Sequence, residues 1–135
     1  MVSRRSGVLV GIASVAGFRG LPGAAAYSAS KAAVISYLES LRVELRDNGI
    51  SVTTICPGYI ASPMTAKNPY PMPFLMKADV AAAKMVRAIE QRKRFYVLPW
   101  QMAVVGCALR ALPRPMFDYL FAHAPHKPRR NGRGV

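Results

Sequence analysis

Apolar residues along this chain occur partly in continuous runs and partly at helical spacing, and the two patterns alternate. GVLVGIAS, residues 7–14, is a continuous apolar run closed by small residues, which is typical of a buried strand. ISVTTIC, residues 50–56, is a second short run rich in β-branched residues, and the breaker Pro57-Gly58 follows it. With a helix between them, these runs predict a β-α-β unit with a right-handed crossover.

The intervening helix is predicted over about residues 24–48, because Gly49 favours the left-handed conformation that ends helices. Leu38, Leu41 and Leu45 recur three and four residues apart and define one apolar face. We expect this face to pack within the fold, against a second subunit, or both.

The segment over residues 59–76 is predicted to be irregular, because four prolines interrupt it. Its methionines and phenylalanine give it an adaptable apolar character, suited to an apolar ligand or to ordinary hydrophobic anchoring. The prolines are Pro63, Pro69, Pro71 and Pro73, and the apolar residues are Met64, Met72, Phe74 and Met76.

A second helix is predicted over residues 77–92, and RFYVLP, residues 94–99, is a third strand candidate. Residues 100–112 are apolar but too few to span a bilayer, which takes about 20 residues. A proline-interrupted basic end follows, and its last stretch is predicted to be disordered. The apolar face of the second helix is predicted to comprise Val80, Ala83, Val86 and Ile89, with charges opposite.

Strands that alternate with helices predict an α/β fold, a Rossmann-like parallel sheet with helices on both faces. We expect residues 1–99 to form part of such a domain and residues 100–135 to form a tail. Three strands are few for such a sheet, and segment 7–14 would expose an unpaired apolar edge. We therefore expect the chain to be unstable alone or to need a partner, and Met1 to be internal to a longer reading frame.

The chain carries 19 Lys and Arg against six Asp and Glu, a formal charge of +13. The cations are dispersed and no nucleic-acid motif with interleaved stacking aromatics is present, so no nucleic-acid partner is predicted. Cys56 and Cys107 suggest neither a disulfide framework nor a metal site, and His123 and His126 are predicted to be solvated. We therefore predict a cytoplasmic protein without a metal, although the basic, then apolar, start also mimics a secretory signal.

The tail combines aromatic and basic residues, which suits it to a membrane surface. The alternative is that it packs on its own fold or on a second subunit. The aromatic residues are Trp100, Phe117, Tyr119 and Phe121, and the basic ones are Arg110, Arg114 and Arg129-Arg130.

Tyr27 and Lys31 are the clearest candidates for chemistry. Residues four apart on a helix share a face, about 5–6 Å apart at Cβ. A nearby cation lowers the pKa of a phenol from its ordinary value of about 10, so the pair can serve as an acid and base. Any amphipathic helix can also carry this spacing, with the tyrosine at the core edge and the lysine in solvent. Ser14, at the end of the first strand, completes the pattern S-x12-Y-x3-K.

These residues, with Pro57-Gly58 after the next strand, resemble the short-chain dehydrogenase/reductase family. IASVAG resembles its serine segment, YSASKAA its tyrosine segment and ICPGYIASPM its proline-glycine turn. The resemblance is clear over about residues 6–94 and weaker to residue 99. It implies an NAD(P)-dependent oxidoreductase that interconverts a carbonyl and a secondary alcohol, acting on an apolar small molecule.

The resemblance also implies roles for individual residues. Tyr27 would be the acid in reduction and the base in oxidation, and Ser14 would hydrogen-bond the carbonyl oxygen. Lys31 would assist Tyr27 and bind the nicotinamide ribose. Helix 24–48 would build a homo-oligomer interface, and segment 59–76 would close over the substrate. Pro57, Gly58 and Ile60 would face the nicotinamide, and Ser62, where the family often has threonine, would offer the cofactor a hydroxyl.

One departure from the family is plain, because no G-x-G-x-x-G turn for the dinucleotide pyrophosphate precedes Ser14. Gly17, Gly20 and Gly23 follow the serine strand and are predicted to form a flexible loop. The chain therefore resembles the carboxyl-terminal half of such an enzyme. NADP is slightly favoured over NAD, since its phosphates suit the basic surplus. Two alternatives stay open: a non-enzymatic remnant or subunit, and a basic peripheral membrane protein.

Overall fold

The computed structural model describes residues 1–63, 65–68 and 71–122, which form one three-stranded parallel sheet with four helices. This architecture confirms the predicted α/β fold. The strands, in sheet order, are β1 (Gly7–Ile12), β2 (Ile50–Pro57) and β3 (Phe95–Leu98). The helices are α1 (Ala25–Glu44), α2 (Ala78–Glu90), α3 (Trp100–Ala111) and α4 (Arg114–Phe121).

Helices cover both faces of the sheet, and the register of the strands shows which residues share a face. Gly11 of β1 lies beside Thr54 of β2, and Thr54 lies beside Phe95 of β3. On this face Leu38 of α1 packs so closely on Gly11 that a Cβ there would collide with it. The other face carries the buried cluster of Ile55, Ala81 of α2 and Leu98, packed against Ile60, Met76, Met85, Ile89 and Tyr96.

Helix α1 ends close to the predicted position. A 3-10 turn, Arg46–Asn48, follows it, and Gly49 then adopts a left-handed conformation with φ of 67°. Leu38 is buried and Leu41 and Leu45 are half-buried, which confirms the predicted apolar face. The helix is predicted to run to about residue 48, and its last turn is a 3-10 turn instead of an α-helical one, which is common at helix ends.

The predicted apolar face of α2 is right for Ile89, which packs against the buried cluster, and wrong for its other members. Val80, Ala83 and Val86 are exposed, whereas Ala81 and Ala88 are buried and Met85 is half-buried. Residues three apart are rotated by about 300° around a helix, so a spacing of three repeated from residue 80 to 89 drifts across half the circumference. The spacing of four and three from Ala81 through Met85 to Ala88 keeps one face, and its alanines let the helix lie close to the sheet.

The described residues between β2 and α2 are irregular, as predicted, apart from a 3-10 turn at Thr65–Lys67. A single parallel bridge joins Ile60 to Met76 and ties the two ends of the segment together. The predictions for Met64, Pro69, His123, His126 and the basic residues beyond 122 concern residues outside the described ranges.

Arg19 fastens the tail to the loop that follows β1. Its guanidinium donates hydrogen bonds to the carbonyl oxygens of Leu109, at 2.7 Å, and of Leu112, and it lies 4.2 Å above the ring of Phe117. The last carbonyls of a helix lack partners within the helix, so a cation at the end of α3 stabilises it. Phe18 beside it packs on Gly106 of α3.

Strand β1 pairs only with β2 among the described residues, so its other edge is open. Val10 and Ile12, which point to the α2 side of the sheet, are exposed. The strand is therefore less buried than its apolar sequence predicts, because nothing in the described part of the chain covers this corner. Across those residues, none of the helices is both long and apolar enough to cross a bilayer.

We predict that Val10→Lys lowers self-association of the 135-residue chain, because an inward-pointing charge on an edge strand blocks pairing with a second copy. Sedimentation velocity over a concentration series measures the effect. Val86→Lys, an equal charge change at an exposed valine of α2, is the control. Equal self-association of the two variants would contradict the role of the β1 edge.

Candidate active site

The candidate site lies at the carboxyl edge of the sheet. Ser14 follows β1, Pro57 ends β2, and Gly58 donates its N–H to the carbonyl oxygen of Leu98 at the end of β3, at 2.7 Å. Parallel strands bring their carboxyl ends to one edge, which is where open α/β sheets bind ligands.

Ser14 is buried and joins the ends of the first two strands. It is the N-cap of the 3-10 turn Val15–Gly17, and its Oγ accepts a hydrogen bond from the N–H of Ala16 at 3.2 Å. The same hydroxyl donates to the carbonyl oxygen of Pro57 at 3.4 Å. That second distance is long for an O–H···O bond, so the proton can be redirected to a stronger acceptor at little cost.

Tyr27 and Lys31 lie on the first turns of α1. The Tyr27 side chain is 50% exposed, so its phenol is accessible to a ligand. Lys31 Nζ lies 5.7 Å from the centroid of the Tyr27 ring, within the range of a cation–π interaction. The same ammonium donates a hydrogen bond to the carbonyl oxygen of Ile12, at the end of β1, at 3.1 Å. The lysine is therefore held against the strand end rather than left in solvent.

Gly17 allows the serine loop to lie directly on α1. A Cβ at Gly17 would lie 2.8 Å from the backbone carbon of Lys31 and 2.9 Å from the nitrogen of Ala32. The prediction of a flexible loop is therefore wrong for Gly17, which packs against the helix, whereas Gly20 has open space around it. Repeated glycines indicate mobility in the absence of other information, and only the position of α1 shows the close approach.

The predicted cofactor contacts are spread from the end of β2 into the irregular segment. Gly58 is packed closely by Met102 of α3, since a Cβ there would lie 2.7 Å from the Met102 Cγ. Thr65, which the sequence did not single out, organises the rest: its hydroxyl donates to the Ile60 carbonyl at 2.7 Å and accepts from the N–H of Ser62 at 2.9 Å. Ser62 Oγ in turn accepts from the N–H of Thr65 at 3.3 Å.

The residues present fit one end of a dinucleotide. Lys31 and Tyr27 offer a cation and a phenol beside the exposed edge. This set suits a nicotinamide and its ribose. A glycine-rich turn before a helix N-terminus, which suits a pyrophosphate, does not occur among the described residues.

Cys56 lies beneath this site. Burial raises the pKa of its thiol from an ordinary 9.0 to about 12, against the opposing effects of a backbone hydrogen bond involving Ser14 and the charge of Lys31. The thiolate is the nucleophilic form, so this cysteine is a packing residue at neutral pH. Cys107 is also free but exposed.

Comparison with known proteins identifies the family. The family model described as short chain dehydrogenase matches residues 1–71. The chain belongs to the short-chain dehydrogenase family. An uncharacterized oxidoreductase of Myxococcus xanthus is 50% identical over 118 residues, which are 87% of this chain and 47% of the relative. A 3-oxoacyl-[acyl-carrier-protein] reductase of Synechocystis is 45% identical over 65 residues, 48% of this chain and 26% of that protein.

Solved structures of the family share the fold. A short-chain dehydrogenase of Burkholderia cenocepacia in complex with NADP aligns with a TM-score of 0.72 at 23% identity, over 89% of this chain and 49% of that one. One from Sphingobium yanoikuyae in complex with NADPH aligns with a TM-score of 0.67 at 23% identity, over 96% and 50%. The chain thus spans about half the length of these structures and half or less of the curated relatives it matches.

We predict that the folded chain reacts with a thiol reagent at Cys107 only, since Cys56 is buried and protonated at neutral pH. Cys56 should react at least about 100-fold more slowly until denaturant is added. Cys107→Ser removes the fast reaction and serves as the control, and two equal rates in the parent chain would contradict the placement of Cys56. Between pH 9 and about 12 the unfolded thiol loses a proton that the folded one keeps, so the contribution of Cys56 to stability falls as the pH rises.

Proposed function

We propose that this chain carries the catalytic residues of an NAD(P)-dependent oxidoreductase that interconverts a carbonyl and a secondary alcohol. The observation that supports it most is the position of Lys31, whose ammonium is bonded to the Ile12 carbonyl and faces the ring of half-exposed Tyr27. Family membership also supports the proposal, as do the NADP and NADPH bound in two solved structures of the same fold.

In the proposed reaction the chain supplies the proton and the electrostatic environment. During reduction, Tyr27 donates its phenolic proton to the oxygen of the substrate carbonyl, and during oxidation it takes the proton back from the alcohol. The Lys31 ammonium favours the phenolate that is left. The nicotinamide, when bound, supplies or accepts the hydride.

Ser14 stabilises the charge that develops on the substrate oxygen. Its hydroxyl turns from the long bond to the Pro57 carbonyl and donates to that oxygen instead. The bond from the Ala16 N–H keeps the Oγ in place during this change. Pro57, Gly58 and Ile60 would hold the nicotinamide, and Ser62 would offer the cofactor a hydroxyl.

Substrate preference and assembly follow from the exposed apolar residues. The segment after β2 presents Phe74 and Leu75 to solvent, so we propose that it closes over an apolar substrate and excludes water. Tyr37 and Val43 are exposed on α1, which supports a homo-oligomer interface on this helix. The basic surplus supports a modest preference for NADP.

We predict that Tyr27→Phe, in the full reading frame that carries these residues, lowers kcat for ketone reduction by about 10²–10⁴-fold, the usual contribution of a general acid. NADPH consumption with a good apolar ketone measures the loss, and NADPH binding should be unchanged. Tyr37→Phe is the control, since it makes the same change at an exposed position of the same helix. An unchanged kcat in Tyr27→Phe would refute the assignment.

A further prediction concerns cofactor binding by the 135-residue chain on its own. The 135-residue chain alone should show no saturable binding of NADPH or NADH in the micromolar range, because the groups that position the pyrophosphate and adenosine are absent from its sequence. Calorimetric titration of a folded, monodisperse sample tests it. Micromolar affinity would show that the residues after β1 are sufficient for cofactor binding.

A further inference from the structure

Helix α3 has an exposed face without a single charged residue. Trp100 is 70% and Val104 is 60% exposed, and Cys107, Ala108 and Ala111 continue the same face at helical spacing. The opposite side of α3 packs on the fold through Met102 and Gly106, both buried. The helix is therefore apolar on both sides, and one of its apolar sides lies in solvent.

Helix α4 adds a second apolar face. Tyr119 is 83% exposed, and Met116 and Leu120 are exposed beside it at spacings of three and four. Phe117 and Phe121, in contrast, stack on each other with ring centroids 4.4 Å apart. Because Arg19 covers Phe117, these two aromatics face the fold. Trp100 and Val104 on α3 and Met116, Tyr119 and Leu120 on α4 are the exposed apolar residues that make up the outer faces of the two helices.

Charge on these helices and in the sequence after them is positive. Arg110 and Arg114 are exposed on the two helices, whose single acid is Asp118. The sequence of residues 123–135 adds Lys127, Arg129, Arg130 and Arg133 and no acid. Exposed apolar helix faces on a chain with a formal charge of +13 suit the surface of an anionic membrane.

We propose that the outer faces of α3 and α4 dock this protein on an anionic lipid surface. Trp100 and Tyr119 lie at the level of the headgroups, Val104 and Leu120 enter the acyl boundary, and the arginines contact lipid phosphates. A second copy of the chain is a poorer occupant of these faces, because pairing the same helices of two copies would bring their exposed Arg110 and Arg114 side chains together and like charges repel. The inference does not depend on the proposed oxidoreductase activity.

Trp100 is the single tryptophan of the chain, so its fluorescence reports on this face directly. Vesicles of phosphatidylcholine with about 30% phosphatidylserine, added at about 50 mM salt, should shift its emission to shorter wavelength and co-sediment the chain. Neutral vesicles, or about 500 mM salt, should weaken both signals. Absence of the shift and of co-sedimentation at low salt overturns the proposal.

Two matched variants separate docking by this face from attraction by charge alone. Val104→Asp should weaken vesicle binding by about tenfold or more, whereas Val86→Asp, at a valine 54% exposed on α2, should stay within about twofold of the parent chain. Equal weakening of the two variants overturns the proposal. So does a dimer in sedimentation velocity that Val104→Asp dissociates without any lipid binding, since the occupant is then a second copy.

Discussion

Six residue pairs hold β1 and β2 side by side in parallel, from Gly7 beside Ile50 to Ile12 beside Ile55. This pairing brings Ser14 next to Pro57 and sets the Ile12 carbonyl where the ammonium of Lys31 reaches it. Two close contacts then fix the position of α1 between these strands: Leu38 packs on Gly11, and the first turns of the helix pack on Gly17. The geometry of the candidate site is therefore a consequence of strand register, since each of its side chains starts from a strand end or from the helix packed on it.

The sequence predicts those parts of the fold in which local pattern and long-range packing agree. The β-branched run of β2 is buried along its whole length apart from Ser51, and Gly49 ends the helical region because its left-handed φ suits glycine. The predicted face of α2 fails because valines suggest a buried side, whereas close packing on the sheet selects Ala81 and Ala88. Hydrophobicity alone does not distinguish an interior position from an exposed apolar one.

In the candidate site, too, some residues can be predicted from local pattern and others depend on long-range packing. Ser14, Tyr27 and Lys31 can be predicted because their spacing reflects a single turn of helix and a single strand end. The roles of Gly17, Thr65 and Arg19 cannot, because each depends on an element brought close by folding: α1 for Gly17, the Ile60 carbonyl for Thr65 and the tail for Arg19. For the tail, the sequence predicts only that aromatic and basic residues are abundant. The structure shows which aromatics are packed, Phe117 and Phe121, and which are exposed, Trp100 and Tyr119.

Among the described residues β1 leaves one edge of the sheet open, and this edge restricts how another strand can pair with it. Such a strand has to form a ladder of backbone hydrogen bonds with β1, and a shift of one residue would turn its side chains to the opposite face. Val10 and Ile12, which are exposed at this edge, would then contact the wrong set of side chains. A strand supplied by a separate chain would therefore pair with β1 in one alignment, so complementation can report strand register as well as affinity.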